Sequence, residues 1–182
     1  MPLPSATSRK LIHTREIKCE GFLRDDGLWD IDSWLTDVKQ VAYTNYDRGL
    51  VAPGEPIHAM GLRMTIDQSY VVQDIVAVTD FSPYKICPEV TPNFKRIIGL
   101  CLIKGFTRSV KELLSGVHGC THLVDLLIPM ATVALQTTRF GLANAQGERD
   151  LTVKPPFFDR CYTWASDSPV VKHEMPTFYT GK

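Results

Sequence analysis

The amino-acid sequence predicts an α+β fold, an antiparallel β-sheet built from hairpins with C-terminal helices packed on one face. Three observations predict it. The first half alternates apolar and polar residues around strong turn signals, and the second half changes to helical spacing. No repeat of fixed period and no low-complexity tract runs through the chain, which removes solenoid and propeller architectures. Strands first and helices later is the order that places helices on one side of an antiparallel sheet.

Residues 1–8 are rich in Pro, Ser and Thr and read as a flexible tail, leaving 9–182 as a single α+β domain. A chain of 182 residues buries roughly 70% of its unfolded surface, enough for one core. Lys10 to Phe22 and Leu28 to Val38 flank Asp25-Asp26-Gly27, a hairpin signal because the tight turn needs positive φ. A two-residue loop at Asp26-Gly27 sets Arg24 opposite Trp29 and Phe22 opposite Ile31. One face then collects His13, Arg15, Ile17, Cys19, Gly21, Asp30, Asp32, Trp34 and Thr36. That mixture suits a ligand-facing surface. A twisted edge hairpin with both faces partly wet reads equally well.

The segment Tyr43 to Pro56 has loop composition, with Asn45, Asp47, Gly49, Pro53, Gly54 and Pro56. A second hairpin joins His58–Ile66 to Val71–Thr79 through a four-residue turn, with Arg63 opposite Asp74. Its other face carries Met60, Leu62, Met64, Ile66, Val71, Ile75 and Ala77. His58 and Thr79 close the end of that apolar face.

After Asp80 the spacing turns helical. Pro88 to Ile98 reads as a short helix interrupted by Pro92, and Leu100 to Ile103 as one more strand. Thr107 is placed to cap a helix running to Ser115, and a longer helix runs from about Thr121 to Arg139 with a kink at Pro129. Beyond Gly141 the sequence becomes polar. The runs Cys161–Trp164 and Val170-Val171 read as small strands or a covering tail.

Twenty basic and twenty acidic residues cancel, so the long-range field that draws a protein to nucleic acid is missing. No apolar run reaches the eighteen or so residues that span a bilayer, and the first thirty lack a signal peptide's unbroken apolar stretch. The expected location is cytoplasmic, without membrane or nucleic-acid partners. The composition leaves a homo-oligomer open. Cys19, Cys87, Cys101, Cys120 and Cys161 are odd in number and widely spaced, which argues against a disulfide framework.

The densest chemistry lies in Gly116-Val117-His118-Gly119-Cys120-Thr121-His122. His118, Cys120 and His122, with His58 or His13, are acceptable zinc ligands, but no standard ligand gap recurs and no metal is expected. Cys120 at a helix start has the setting of a nucleophile, and Gly-Cys-Thr is also a plain capping arrangement, which is the preferred reading. Metal-free acid–base chemistry uses the available groups best. In that reading His58, Asp80, Asp25 and Tyr84 are the catalytic candidates. His13, Arg15, Arg24, Trp29, Trp34, Tyr43, Cys120, Thr121 and His122 are the substrate-binding ones. Arg15 or Arg24 would hold a carboxylate or phenolate, and the helix start would stabilise an anionic part of the ligand.

Arg24-Asp25-Asp26-Gly27-Leu28-Trp29-Asp30, Ala77-Val78-Thr79-Asp80 with Ser82-Pro83-Tyr84, Gly105-Phe106-Thr107 and Gly119-Cys120-Thr121-His122-Leu123 together resemble a bacterial family of domains of unknown function. The likeness covers most of residues 10–165. It implies an association with aromatic-compound breakdown, hence a small aromatic substrate. One reaction that fits is a lyase step on a phenolic, lignin-type substrate, releasing formaldehyde from a hydroxymethyl side chain. No cofactor is expected, since neither GxGxxG after a strand nor GxxxxGK[ST] occurs. The alternatives are a ligand- or partner-binding domain without turnover, and a metal- or thiol-dependent enzyme centred on Cys120 and His122.

Overall fold

The computed structural model describes residues 3–138 and 153–181. Its contacts group into two compact units, 1–138 and 139–182, where length alone suggested one domain. Residues 3–8 are exposed and without regular secondary structure.

The first unit has the α+β architecture. Four long strands, β1 (His13–Leu23), β2 (Trp29–Lys39), β5 (Pro56–Ile66) and β6 (Val72–Phe81), form an antiparallel sheet in the order β1-β2-β5-β6. Between β2 and β5, the stretch expected to be loop contains a small hairpin of β3 (Tyr43–Asn45) and β4 (Gly49–Val51). Asn45 makes this tight: its side-chain oxygen accepts from the backbone N–H groups of Asp47 and Arg48.

The first hairpin turns through five residues rather than two. Arg24 N–H donates to Leu28 O, Gly27 sits at φ 81°, and Leu23 faces Trp29. The register therefore differs from the expected one by a single residue, which moves every β2 side chain to the other face. Ile31, Ser33, Leu35 and Asp37 join the buried face, and Asp30, Asp32 and Trp34 leave it.

On the outer face those residues have partners of their own. Arg63 holds Asp32 through two bonds of 2.7 and 2.6 Å, and Thr65 Oγ1 donates to Asp30 at 2.6 Å. Trp34 lies over Gly61, where a Cβ would stand 2.9 Å from the indole ring. The expected Arg63–Asp74 pair is absent, since Arg63 faces Val76 and Asp74 pairs with Lys95. Ile66 pairs with Val72 instead of Val71, which puts Val72 in the core, and a register shift at Thr65/Ile66 adds the second residue of offset.

Helices cover the inner face. The segment Cys87–Ile97 is 3₁₀ rather than α, with Pro92 inside it and Phe94 and Ile97 buried. Leu100 to Ile103 contributes one bridge, Val71 to Cys101, instead of a strand. Helix α1 (Phe106–Leu114) starts from Gly105 at φ 70°, two residues before the expected Thr107 cap. Helix α2 (Thr121–Thr137) runs through Pro129 and lies on β1, β2 and β5. The expected end at Arg139 falls outside the described residues.

Leu123, Leu126, Leu127, Met130 and Ala134 of α2 meet Ile31, Leu35, Met60, Leu62 and Met64 of the sheet, all essentially inaccessible. The far end of α2 rests on Gly21 of β1, where any Cβ would overlap the Thr137 side chain. Gly21→Ala is therefore expected to destabilise the first unit by about 1–3 kcal/mol, the usual cost of overpacking. Urea denaturation checks this; an unchanged midpoint would mean that α2 moves aside freely.

The second unit, in its described part, contains no strand. Tyr162–Trp164 forms one 3₁₀ turn, Pro169–Glu174 forms helix α3, and Pro176–Phe178 forms a further 3₁₀ turn, where small strands or a covering tail were expected. Ser168 caps α3 by accepting from Val171 N–H at 3.1 Å. Phe158, Val171 and Met175 form its buried apolar cluster, enclosed by Phe157, Trp164, Phe178 and Tyr179.

Candidate functional site

At the end of the sheet where β1 begins and β2 ends, alternation brings Arg15, Asp37 and His58 into one row across three strands. An extra residue in β5 reinforces this. Asp37 faces His58 while Val38 faces Pro56, so Ile57 is a bulge residue, and Ile57 and His58 are both buried. Helix α2 then sets His122, its second residue, against His58 from above, with ring centroids 3.6 Å apart and planes inclined by 29°.

Asp37 is the centre of the cluster and 1% exposed. Its Oδ1 accepts from Arg15 Nε at 2.8 Å and lies 3.2 Å from His13 Nε2. Its Oδ2 accepts from Arg15 Nη2 at 2.8 Å and from His58 Nδ1 at 2.9 Å. A carboxylate offers about four acceptor positions, so this one is saturated. Arg15 bridges to the helix as well, because its Nη1 donates to Asp125 Oδ2 on α2 at 2.9 Å.

Burial by itself would raise the Asp37 pKa. The Arg15 bonds and charge, helped by His58, outweigh it and hold the group at about 2. Burial, followed by repulsion from His122, pushes His58 down to about 4 against the pull of Asp37. His122 is lowered as well, first by burial and then by the Arg15 charge. Both imidazoles are thus neutral near pH 7. In neutral His58 the Nδ1–H points at Asp37, which leaves the Nε2 lone pair free.

The arrangement sorts the residues that the sequence proposed. His13, Arg15, His58 and His122 meet at Asp37, and Cys120 is adjacent, its Sγ 3.8 Å from His122 Nδ1 and 4.0 Å from Met60 Sδ. Thr121 is the first residue of α2 and exposed. No side chain caps this helix, contrary to the capping expected of Gly-Cys-Thr, so its first N–H groups stay available beside the histidines. Tyr43 is partly buried beside Lys39.

The remaining candidates lie apart. Asp25 is exposed and Arg24 binds Asp26 and Asp30, all at the turn that closes the opposite end of the sheet. Eight residues of strand separate that end from Asp37, about 27 Å. Trp29 is core, Trp34 lies on the outer face, and Asp80 and Tyr84 are exposed. Arg15 is bonded to two carboxylates, Asp37 and Asp125. Asp37 is the residue that sequence reasoning missed, and its signal was the alternation Ile31, Ser33, Leu35, Asp37, visible only in the correct register.

Among the described residues, Asp37, His58 and His122 offer ligand atoms within 4.8 Å of one another. Two imidazoles and a carboxylate are a donor set that zinc or iron accepts by type. The geometry does not suit it. Imidazole lone pairs lie in the ring planes, and two stacked rings direct them side by side instead of onto one point. The carboxylate is filled, and a dication would sit against the Arg15 guanidinium.

A family described as a protein of unknown function (DUF2889) matches residues 13–136, which contain the whole sheet and every residue of this cluster. The chain belongs to this family. No curated protein and no solved structure matches it. Among the described residues no helix is long and apolar enough to cross a membrane.

Proposed function

We propose that the chain is a cofactor-independent enzyme that works by general acid–base chemistry, with His58 as the base. The observation that supports this is the saturated, buried Asp37 holding a neutral imidazole in one tautomer. Such a carboxylate keeps the basic nitrogen aimed at a substrate and stabilises the imidazolium once a proton arrives. His122, stacked on His58, limits the pair to one proton at a time, since two stacked cations repel. Arg15 balances the Asp37 charge and ties it to Asp125 of α2, which keeps strand and helix in position.

The substrate in this reading is a phenolic compound with a hydroxymethyl side chain, and the reaction is a carbon–carbon lyase step. His58 Nε2 takes the hydroxyl proton, the carbon–carbon bond breaks, and formaldehyde leaves. The electron pair of that bond passes into the ring-conjugated remainder, which recovers the proton. No oxidant, water or second substrate enters the balance.

The test is formaldehyde capture from a panel of hydroxymethyl phenols incubated with the purified protein. His58→Gln is expected to lower kcat on the order of 10²-fold, and Cys120→Ser to leave it near wild type. Turnover that survives His58→Gln in a folded protein would end the acid–base reading. Equal loss in Cys120→Ser would move the chemistry to the thiol.

A further inference from the structure

The Arg15 charge is already balanced by two carboxylates, Asp37 and Asp125, so a ligand's negative oxygen is better served by another cation. Lys39 is placed for it. It lies two residues beyond Asp37 on the same face of β2, about 7 Å along the strand, and directly opposite His13. Among the described residues no carboxylate pairs with it. Its Nζ stands 5.2 Å from the centroid of the Tyr43 ring, a contact that leaves the charge and the three N–H donors unspent.

The Tyr43 hydroxyl supplies a second, independent observation. Among the described residues only it and Thr79 Oγ1 are buried side-chain polar atoms without a hydrogen-bond partner. Both belong to the same end of the sheet as Asp37. Tyr43 follows the end of β2, and Thr79 faces Met60, whose sulfur touches Cys120 beside His122. Buried hydroxyls are normally satisfied, and one left open on a ring that an uncommitted ammonium overlies fits a position that a ligand oxygen completes.

We propose that Lys39 and Tyr43 form an oxyanion subsite beside the histidine pair, which takes the phenolate or carboxylate oxygen of an aromatic ligand. The inference rests on the acid–base reading and adds the polarity of the substrate: its ionised oxygen lies toward Lys39 and its reacting hydroxyl toward His58. Lys39 stabilises negative charge, and the Tyr43 hydroxyl donates to the same oxygen.

The probe is 4-nitrophenol, whose ionised form absorbs visible light. Added to the full chain in a buffer where it is mostly un-ionised, it is expected to gain phenolate absorbance, with its ionisation constant raised about 10-fold by the nearby ammonium. Lys39→Met should abolish the gain, Lys39→Arg should keep it, and Tyr43→Phe should reduce it. Displacement of the probe by benzoate would extend the subsite to carboxylates, and failure to displace would confine it to phenolates. His58→Gln should retain the absorbance change while losing formaldehyde release, which separates this subsite from the acid–base reading. No absorbance gain with the intact protein, or an undiminished gain in Lys39→Met, would overturn the proposal.

Discussion

Asp37→Ala is expected to cost about 3 kcal/mol of stability and to lower turnover on the order of 10³-fold or more. The two losses have different sources. Stability falls because the substitution leaves the Arg15 guanidinium and the His58 Nδ1–H without their buried partner. Arg15 keeps Asp125 and is a third exposed, which holds the cost toward the lower end for a broken buried ion pair. Turnover falls further because His58 is then free to adopt the other tautomer and to rotate away from the substrate. Asp37→Asn separates the effects, since it preserves shape and removes charge. It should recover part of the stability and little of the rate. Urea denaturation beside formaldehyde release measures both, and an Asp37→Asn variant with near wild-type turnover would deny the dyad its role.

Acid should weaken the fold well before it exhausts the base. His58 binds a proton near pH 6.5 in the unfolded chain and only near about 4 in the folded one. The unfolded state therefore gains protons first as pH falls. Stability is complete above about pH 6.5, declines through the interval down to about 4, and is then level with respect to this group. The loss assigned to His58 is on the order of 3 kcal/mol, and His122, lowered in the same direction, adds to it. Asp37 acts in the next interval: its bonds contribute fully above pH 3.8 and are lost as pH drops toward about 2. Urea midpoints between pH 7 and 4 should show this slope in the wild type and a shallower one in His58→Asn. A flat wild-type profile would mean that His58 is reached by water and titrates normally. Turnover per folded molecule should stay constant to near pH 5, because the folded imidazole remains unprotonated there.

The sheet, its hairpins and the apolar stripe of α2 were legible because alternation and helical spacing are local properties. Met60, Leu62, Met64, Ile75 and Leu123 reach the core as their spacing says. The cluster was legible in part. His58 at the end of an apolar face and His122 at a helix start each carried a sequence signal. Asp37 did not, because its β1 partners, Arg15 and His13, depend on how many residues the turn at 24–28 contains, and Asp-Gly there suggested too few. Trp34, Asp30 and Asp32 moved to the outer face by that same count. Exposure of Asp80 and Tyr84 was not readable either, since it depends on where β6 stops.

The five-residue turn from Arg24 to Leu28 thus acts as a length gauge for chemistry at the opposite end of the sheet. One residue more or less there would reverse the parity of the hairpin, carrying Arg15 and His13 to the side away from Asp37 while β2, β5 and His58 stay in register. A change of two would keep the side and slide the arginine along it. Length variation at this exposed tip, ordinarily the most tolerated kind, is here coupled to whether the carboxylate has a counter-charge at all.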